Sequence, residues 1–458
     1  MIEHGGREVV WPETFGSPSF PYSPAIRASG WVFASAQMAT DLVTGLAPEA
    51  RPNLRNPHLR DPVELQSWAL MKNLADVMAA AGCDISADSV RIQQWRVSPH
   101  PTIEELEAGS TWTGLSVTPY YRARNHYLSE PRPASTGIGV RRLLLRDGLI
   151  GVDMIAIQPG AGPGKRGVGV PPVAGFSPAI CHGDWVFLAG VVATDWSGDF
   201  MSERHMGEPS ALAPEARVNP YFWYGSPIEK QTEFVLNELA HIAEDAGSSL
   251  DRCVKANVYL GRPHDYEGMD RVWKQWFPDD PPARVVIPYL GLGHMGSRIE
   301  IDMILLADDS QLIRKAVNAA SALEPLGHEP KAMQAGDFLF FSTQVAAGPE
   351  GIEPELGNIE FPHFADPARL QASRIFDNMS AICDVAGTSL RNVCQIREFF
   401  ADLQAFTAVR EEWRTRFGDA PPASTTVEIG AEPIVPGCQL LLDATGYVPP
   451  AARNAEGA

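Results

Sequence analysis

Residues 47–51 read Ala47-Pro48-Glu49-Ala50-Arg51, and residues 213–217 read Ala213-Pro214-Glu215-Ala216-Arg217. Internal repetition is sought first because it decides how every other segment is read. Working outward from these two stretches, six anchors recur in one order, three times along the chain. The opening anchor is a turn into an apolar strand: Ser23-Pro24-Ala25 before Trp31-Val32-Phe33, Ser177-Pro178-Ala179 before Trp185-Val186-Phe187, and Pro330-Lys331-Ala332 before Phe338-Leu339-Phe340. The residues that follow, 34–39, 188–193 and 341–346, are small and apolar, the pattern of a strand buried on both faces.

A long helix is expected next over 63–81, 228–246 and 369–386. In the middle copy Val235, Leu239, Ile242, Ala243 and Ala246 fall on one face. Each helix runs into Ala-Gly, at Gly82, Gly247 and Gly387, where glycine closes a helix in the left-handed conformation. Strands follow at 90–97, 254–260 and 393–400, then second helices at 120–128, 266–277 and 406–417. A Pro-Ala pair enters the next strand at Pro133-Ala134-Ser135, Pro282-Ala283-Arg284 and Pro422-Ala423-Ser424. A last apolar strand carries an acid in one register: Asp153, Asp302 and Asp443.

The fold class expected is α+β, as three tandem modules over 1–160, 161–310 and 311–458, each a mixed sheet with two helices on one face. Residues 158–176 are rich in Gly and Pro and read as a linker. Residues 311–321 read as a short helix between the second and third copies, and insertions stand near 100–117 and 196–212.

Composition bounds the function. The 458 residues are 45% hydrophobic and 20% charged, ordinary for a globular protein. A formal charge of −19 and the lack of a Lys/Arg block disfavour nucleic acid. Arg141, Arg142 and Arg146 read as solvated hairpin surface. No apolar run approaches the ~20 residues of a membrane span, and the start lacks the pattern of a signal peptide. Six scattered cysteines without CxxC pairing read as reduced buried thiols, so a cytoplasmic location is expected.

The Pro282-Ala283-Arg284-Val285-Val286-Ile287 stretch and the Arg298-Ile299-Glu300-Ile301-Asp302 strand, in this order of elements, resemble the RidA (YjgF) family. The resemblance covers nearly the whole chain, once per module. It implies three sheets packed as a triangular barrel with ligand clefts between neighbours, so that one chain forms an intramolecular pseudo-trimer. It further implies a cofactor-free hydrolase or deaminase of an enamine or imine carbon on a small carboxylate, either 2-aminoacrylate-like or aminomuconate-like. Arg284 would clamp the carboxylate and Glu300 would handle water and proton. The other modules carry Ser135 with Gly151, and Ser424 with Leu441, at those two places. The tyrosine of active relatives falls at Ala25, Ala179 and Lys331, and their helix asparagine at Asp270, which by the resemblance would bind substrate beside Arg284.

The residue chemistry agrees with such roles, and each also has a plainer reading. Arginine offers paired donors that match a carboxylate, while a desolvated glutamate holds its proton to higher pH. Arg284 and Glu300 are equally the pattern of a cross-strand salt bridge. His294, in the loop Gly291-Leu292-Gly293-His294-Met295-Gly296, is placed for acid/base work or is an exposed loop histidine. Tyr221 and Trp223, within a run of four aromatics at 221–224, form a lid over substrate or cover a seam. No residue spacing suits a metal, and neither metal nor cofactor is expected. The partners expected are a small carboxylate substrate and possible further self-association, without nucleic acid or membrane. Two other functions fit the same sequence: a non-catalytic metabolite-binding or scaffold protein with degenerate clefts, and a chorismatase-like hydrolase.

Overall fold

The computed structural model describes residues 3–4, 6–18, 20–97, 118–172, 174–194, 212–219, 221, 225–291, 296–356, 366–430 and 433–450. Six α-helices lie among them: α1 (Pro62–Ala80), α2 (Thr118–Tyr127), α3 (Pro227–Asp245), α4 (Tyr266–Trp276), α5 (Pro367–Val385) and α6 (Phe406–Phe417). The long helices α1, α3 and α5 begin alike. Asp61, Ser226 and Asp366 accept from free N–H groups of the first turn, and a proline follows each cap. They also end alike, on Gly82, Gly247 and Gly387 at φ +78°, +77° and +74°.

The strands form three large sheets with one shared order. In the second, the order is Ala283–Pro288, Cys253–Leu260, Ile299–Leu306, Trp185–Val192, Ala179–His182 and Arg166–Val168. The first pair is parallel and the rest antiparallel. The first sheet repeats this with Ala134–Val140, Ser89–Val97, Ile150–Ile157, Trp31–Gln37, Ala25–Ala28 and Arg7–Val10. The third repeats it with Ala423–Glu428, Val393–Phe400, Leu440–Tyr447, Phe338–Phe341, Ala332–Ala335 and Arg314–Val317. Each sheet packs one face on two helices, and each such unit has its own core, as around Leu239, Trp273 and Met303 in the second.

The other faces of the three sheets meet one another. At one end Trp31, Trp185 and Phe338 converge, with ring centroids 4.5 to 6.2 Å apart. At the other end Trp95, Tyr259 and Phe399 share an apolar cluster. Between them lies a buried charged layer. Arg91 of the first unit pairs with Asp302 of the second, and Lys255 of the second with Asp443 of the third at 2.6 Å. Arg397 of the third pairs with Asp153 of the first at 2.7 Å and with its own Asp443 at 3.0 Å. Three cations meet three acids, so desolvation is offset by pairing within the layer.

Four expectations change. The strands make separate open sheets rather than a closed hydrogen-bonded barrel. Residues 311–321 hold no α-helix; Arg314–Val317 pairs antiparallel with Ala332–Ala335. An exposed sheet edge satisfies more backbone groups there than an isolated helical turn would. The same edge pairing draws Arg166–Val168 out of the expected linker. Arg142–Leu143 pairs with the third sheet rather than within its own hairpin, and Arg141 and Arg142, exposed as expected, reach the buried Glu428.

Candidate functional site between the first and second units

The strand that follows Pro-Ala lies at the edge of each sheet and packs on the Trp31, Trp185 or Phe338 strand of another unit. Ala134–Val140 meets Trp185–Val192, Ala283–Pro288 meets Phe338–Phe341, and Ala423–Glu428 meets Trp31–Gln37. Three seams result, which we number first to second, second to third, and third to first. Backbone bonds tie them: Gly139 N–H donates to Gly291 at 2.8 Å and Thr343 N–H to Arg284 at 3.0 Å.

Arg284 and Glu300 do not come together. Arg284 is level with Ala256 of the intervening strand and Glu300 is level with Tyr259. Those positions are three residues apart, an odd number, so the two side chains leave opposite faces, offset by ~10 Å along the strand. Arg284 turns to the seam with the third unit, and Glu300 to the seam with the first. A unit therefore contributes its Pro-Ala residue to one seam and its last-strand residue to another.

At the second-to-third seam Arg284 is fully buried and internally matched. Its Nη2 donates to Asp270 at 2.6 Å and to Glu329 of the third unit at 2.5 Å, and Nε donates to the same Glu329 carboxylate at 3.1 Å. The remaining nitrogen, Nη1, reaches the Met269 sulfur at 3.3 Å, and the guanidinium stacks 4.9 Å from the Trp273 ring. Gly327 closes over it so tightly that a Cβ would overlap Nη2. Burial disfavours the charge, yet Glu329, Tyr266 and Asp270 together raise the Arg284 pKa. Asp270, assigned to substrate, instead holds Arg284, Lys274 and the His328 N–H. The clamp expected to meet a substrate carboxylate already holds two carboxylates of the protein.

Glu329 was not singled out by the sequence because of a register error. Ala25 pairs with Ala34, Ala179 with Leu188 and Ala332 with Phe341, so Ala332 rather than Lys331 matches Ala25 and Ala179. Three residues before those alanines stand Tyr22, Phe176 and Glu329. A carboxylate in place of an aromatic was the available signal. Tyr22 accepts from Gln37 at 2.9 Å beside Ser424, where a cavity of about 40 Å³ remains at the third-to-first seam.

The first-to-second seam differs. Glu300 is 5% exposed, and among the described residues its carboxyl has no hydrogen-bond or ion-pair partner. It fills the place of a side chain at Gly190, where a Cβ would overlap Oε1 and come 3.1 Å from the Thr136 methyl. Burial, with Asp302 adding to it, pushes the Glu300 pKa up to about 8 from an ordinary value of 4.5, while Arg96 of the first unit opposes the rise. Gly190 also lines a cavity of about 740 Å³ whose described walls, among them Phe176, Phe234 and Lys230, belong to the second unit. A cavity at the second-to-third seam, beside Leu441, measures only about 20 Å³.

The seams also differ in how they are fastened. Ser35 accepts from the Ser424 N–H at 2.6 Å, and Ser342 accepts from the Arg284 N–H at 3.2 Å. The equivalent residue at the first-to-second seam is Ala189, which offers no such acceptor. His294 and Trp223 lie outside the described residues. The His294 loop starts at Gly291, which bridges Gly139 on this same seam. Tyr221 is 90% exposed. Among the described residues no cluster of His, Cys, Asp and Glu is arranged to hold a metal, and no helix is long and apolar enough to cross a membrane.

The sequence is similar to those of known proteins. The family model "Endoribonuclease L-PSP" matches residues 222–307 and 319–440. Protein DfrA of Myxococcus xanthus is 30% identical over 125 residues, 27% of this chain and 88% of that protein. The 3-aminoacrylate deaminase RutC of Acinetobacter baylyi is 28% identical over 131 residues, 29% of this chain and 86% of that protein. A chorismatase crystal structure is 11% identical, with a TM-score of 0.48 over 79% of this chain and 94% of that one. With its repeated Pro-Ala strand, its sheet order and these relatives, the chain belongs to the RidA/RutC family, that of the endoribonuclease L-PSP model.

Proposed function

We propose that this chain is a cofactor-free hydrolase of an enamine or imine C–N bond, with its working site at the first-to-second seam and Glu300 as the proton carrier. One observation carries the reading: Glu300 is buried, has no partner among the described residues, and is set against Gly190, which lines a cavity of about 740 Å³ on the second unit. A buried carboxyl that the protein leaves unneutralised costs stability, and such a cost is tolerated where the proton is used. With its pKa near 8, Glu300 is mostly protonated at neutral pH.

The chemistry then balances without a cofactor. Glu300 gives its proton to the enamine carbon, which becomes an iminium. Glu300, now a carboxylate, takes a proton from the water that adds to the C=N carbon, and ammonia leaves as the carbinolamine collapses. The closed ring of pairs Arg91–Asp302, Lys255–Asp443 and Arg397–Asp153 supports reading the three units as an intramolecular pseudo-trimer. On that reading the other seams are structural, one because Arg284 is internally matched and one because only a small cavity remains.

The test is release of ammonia from 2-aminoacrylate, 3-aminoacrylate and 2-aminomuconate generated in solution. Wild type releases ammonia from at least one, and Glu300→Gln lowers turnover by ~10²–10⁴-fold, the usual contribution of a positioned acid–base group. Equal turnover in wild type and Glu300→Gln would remove Glu300 from the mechanism.

A further inference from the structure

The site at the first-to-second seam has an acid but no arginine at the Pro-Ala position, where Ser135 accepts from Gln94 at 2.6 Å. We infer that Arg96, from the neighbouring strand Ser89–Val97, has taken over recognition of the substrate carboxylate in this seam. The inference rests on the proposed function and deepens it.

Arg96 stands on the seam. It is level with Gly139 of the edge strand, and Gly139 is the residue that bonds Gly291 of the second unit. Within the edge strand, Ser135, Gly137 and Gly139 share the face that carries Arg284 in the second unit, and Gln94 and Arg96 share it on the adjoining strand. The guanidinium therefore reaches the clamp face from one strand further in. Glycine makes this possible: a Cβ on Gly137 would come 3.1 Å from Arg96 Nη2 and 3.3 Å from Gln94 Oε1.

Arg96 is also uncommitted. Arg91, Arg284, Arg397 and Arg410 each pair with a buried carboxylate. Among the described residues Arg96 pairs with none. Its Nη2 donates to the Gly137 carbonyl at 3.2 Å, and its Nε is buried without a partner. Arg124, another arginine near this seam, is held by Asn125 and the Ala174 carbonyl and lies 4.5 Å from the Tyr121 ring. A carboxylate meets Arg96 without displacing an internal acid, whereas at Arg284 it would have to displace Glu329. The charge of Arg96 also opposes the rise of the Glu300 pKa, which sets the two groups at the same seam.

The experiment compares wild type with Arg96→Ala and Arg96→Gln in two assays. The first is steady-state ammonia release from 2-aminoacrylate. The second is binding of pyruvate, with uncharged pyruvamide as control, followed by saturation-transfer NMR, which needs no turnover. Wild type is expected to prefer pyruvate over pyruvamide. Both variants are expected to raise the pyruvate Kd and the substrate KM at least tenfold, leaving pyruvamide binding within threefold. Thermal unfolding of Arg96→Gln alongside wild type separates loss of recognition from loss of fold. If wild type releases no ammonia yet Arg96→Gln still loses pyruvate, the hydrolase reading fails while the carboxylate site stands. Unchanged pyruvate binding in a folded Arg96→Gln protein, or no preference for pyruvate in wild type, overturns the inference.

Discussion

The second-to-third seam and the first-to-second seam share one backbone design and have opposite electrostatics. In the former, Arg284 is paired with Asp270 and Glu329, under a backbone so close that a Cβ on Gly327 would overlap its guanidinium. In the latter, among the described residues, neither Glu300 nor Arg96 forms an ion pair, and Arg96 donates only to the Gly137 carbonyl. The difference shows what fusing three copies permits. In a homotrimer a mutation that filled one seam would fill all three. In a single chain, one seam can be given internal carboxylates and become a structural joint while another keeps its charges for a ligand. Buried charge is tolerated in both, but only the matched pair stabilises the assembly.

The sharpest break of this comparison is Arg284→Ala. Glu329 is then left without its cation and Asp270 keeps only that of Lys274, and removal of one partner from a buried pair typically costs ~3–5 kcal/mol. The denaturation midpoint should fall accordingly, while ammonia release by the surviving folded protein keeps its KM. Arg284→Met combined with Glu329→Leu should recover most of the loss. A KM that rises with Arg284→Ala in protein of intact stability would return the clamp to Arg284.

A second contrast is in pH. The folded-state pKa of Glu300 lies above its ordinary value, so its contribution to stability is complete below pH 4.5 and is lost as pH rises to about 8. The slope within that window is up to ~1.4 kcal/mol per pH unit. Stability of wild type minus Glu300→Gln, measured by urea unfolding from pH 4 to 9, should fall across the window and flatten above it. Turnover that needs protonated Glu300 should decline over the same upper limb. A flat difference would mean that the carboxyl is solvated or paired.

The smallest effect is expected from Gly190→Ala. The added methyl overlaps Glu300 Oε1, so the carboxyl must turn away, at a packing cost of ~1–3 kcal/mol. Turnover should fall about tenfold, less than the ~10²–10⁴-fold that a positioned acid–base group contributes. The equivalent residues at the other seams are Ala36 and Thr343, which face Gly151 and Leu441 instead of an acid. Restoring turnover with Gly190→Ala in place would argue against Glu300 as the proton carrier.

Much of the fold was legible in the chain. The helix caps at Asp61, Ser226 and Asp366, the closing glycines and the alternation of strands are local properties, set by a few neighbouring residues. Helix and strand limits agree with expectation to within a residue or two for α1, α3 and α5. The segment at 311–321 was misread because its edge strand is held by a partner twenty residues away rather than by its own periodicity. The candidate site was less legible. Arg284 and Glu300 were joined because they lie in one repeat, and conservation of both within a repeat looks like conservation of a site. Nothing in Ser135 or Gly151 advertised that Arg96 or Gly190 would matter.

By itself the sequence determined that one α+β pattern occurs three times, with Pro-Ala strands, closing glycines and an acid in fixed register, because these depend on spacing along the chain. Only the tertiary structure decided which charges meet. Side chains three residues apart on a strand leave opposite faces, so Arg284 went to Glu329 of the third unit and Glu300 to the seam with Arg96 of the first.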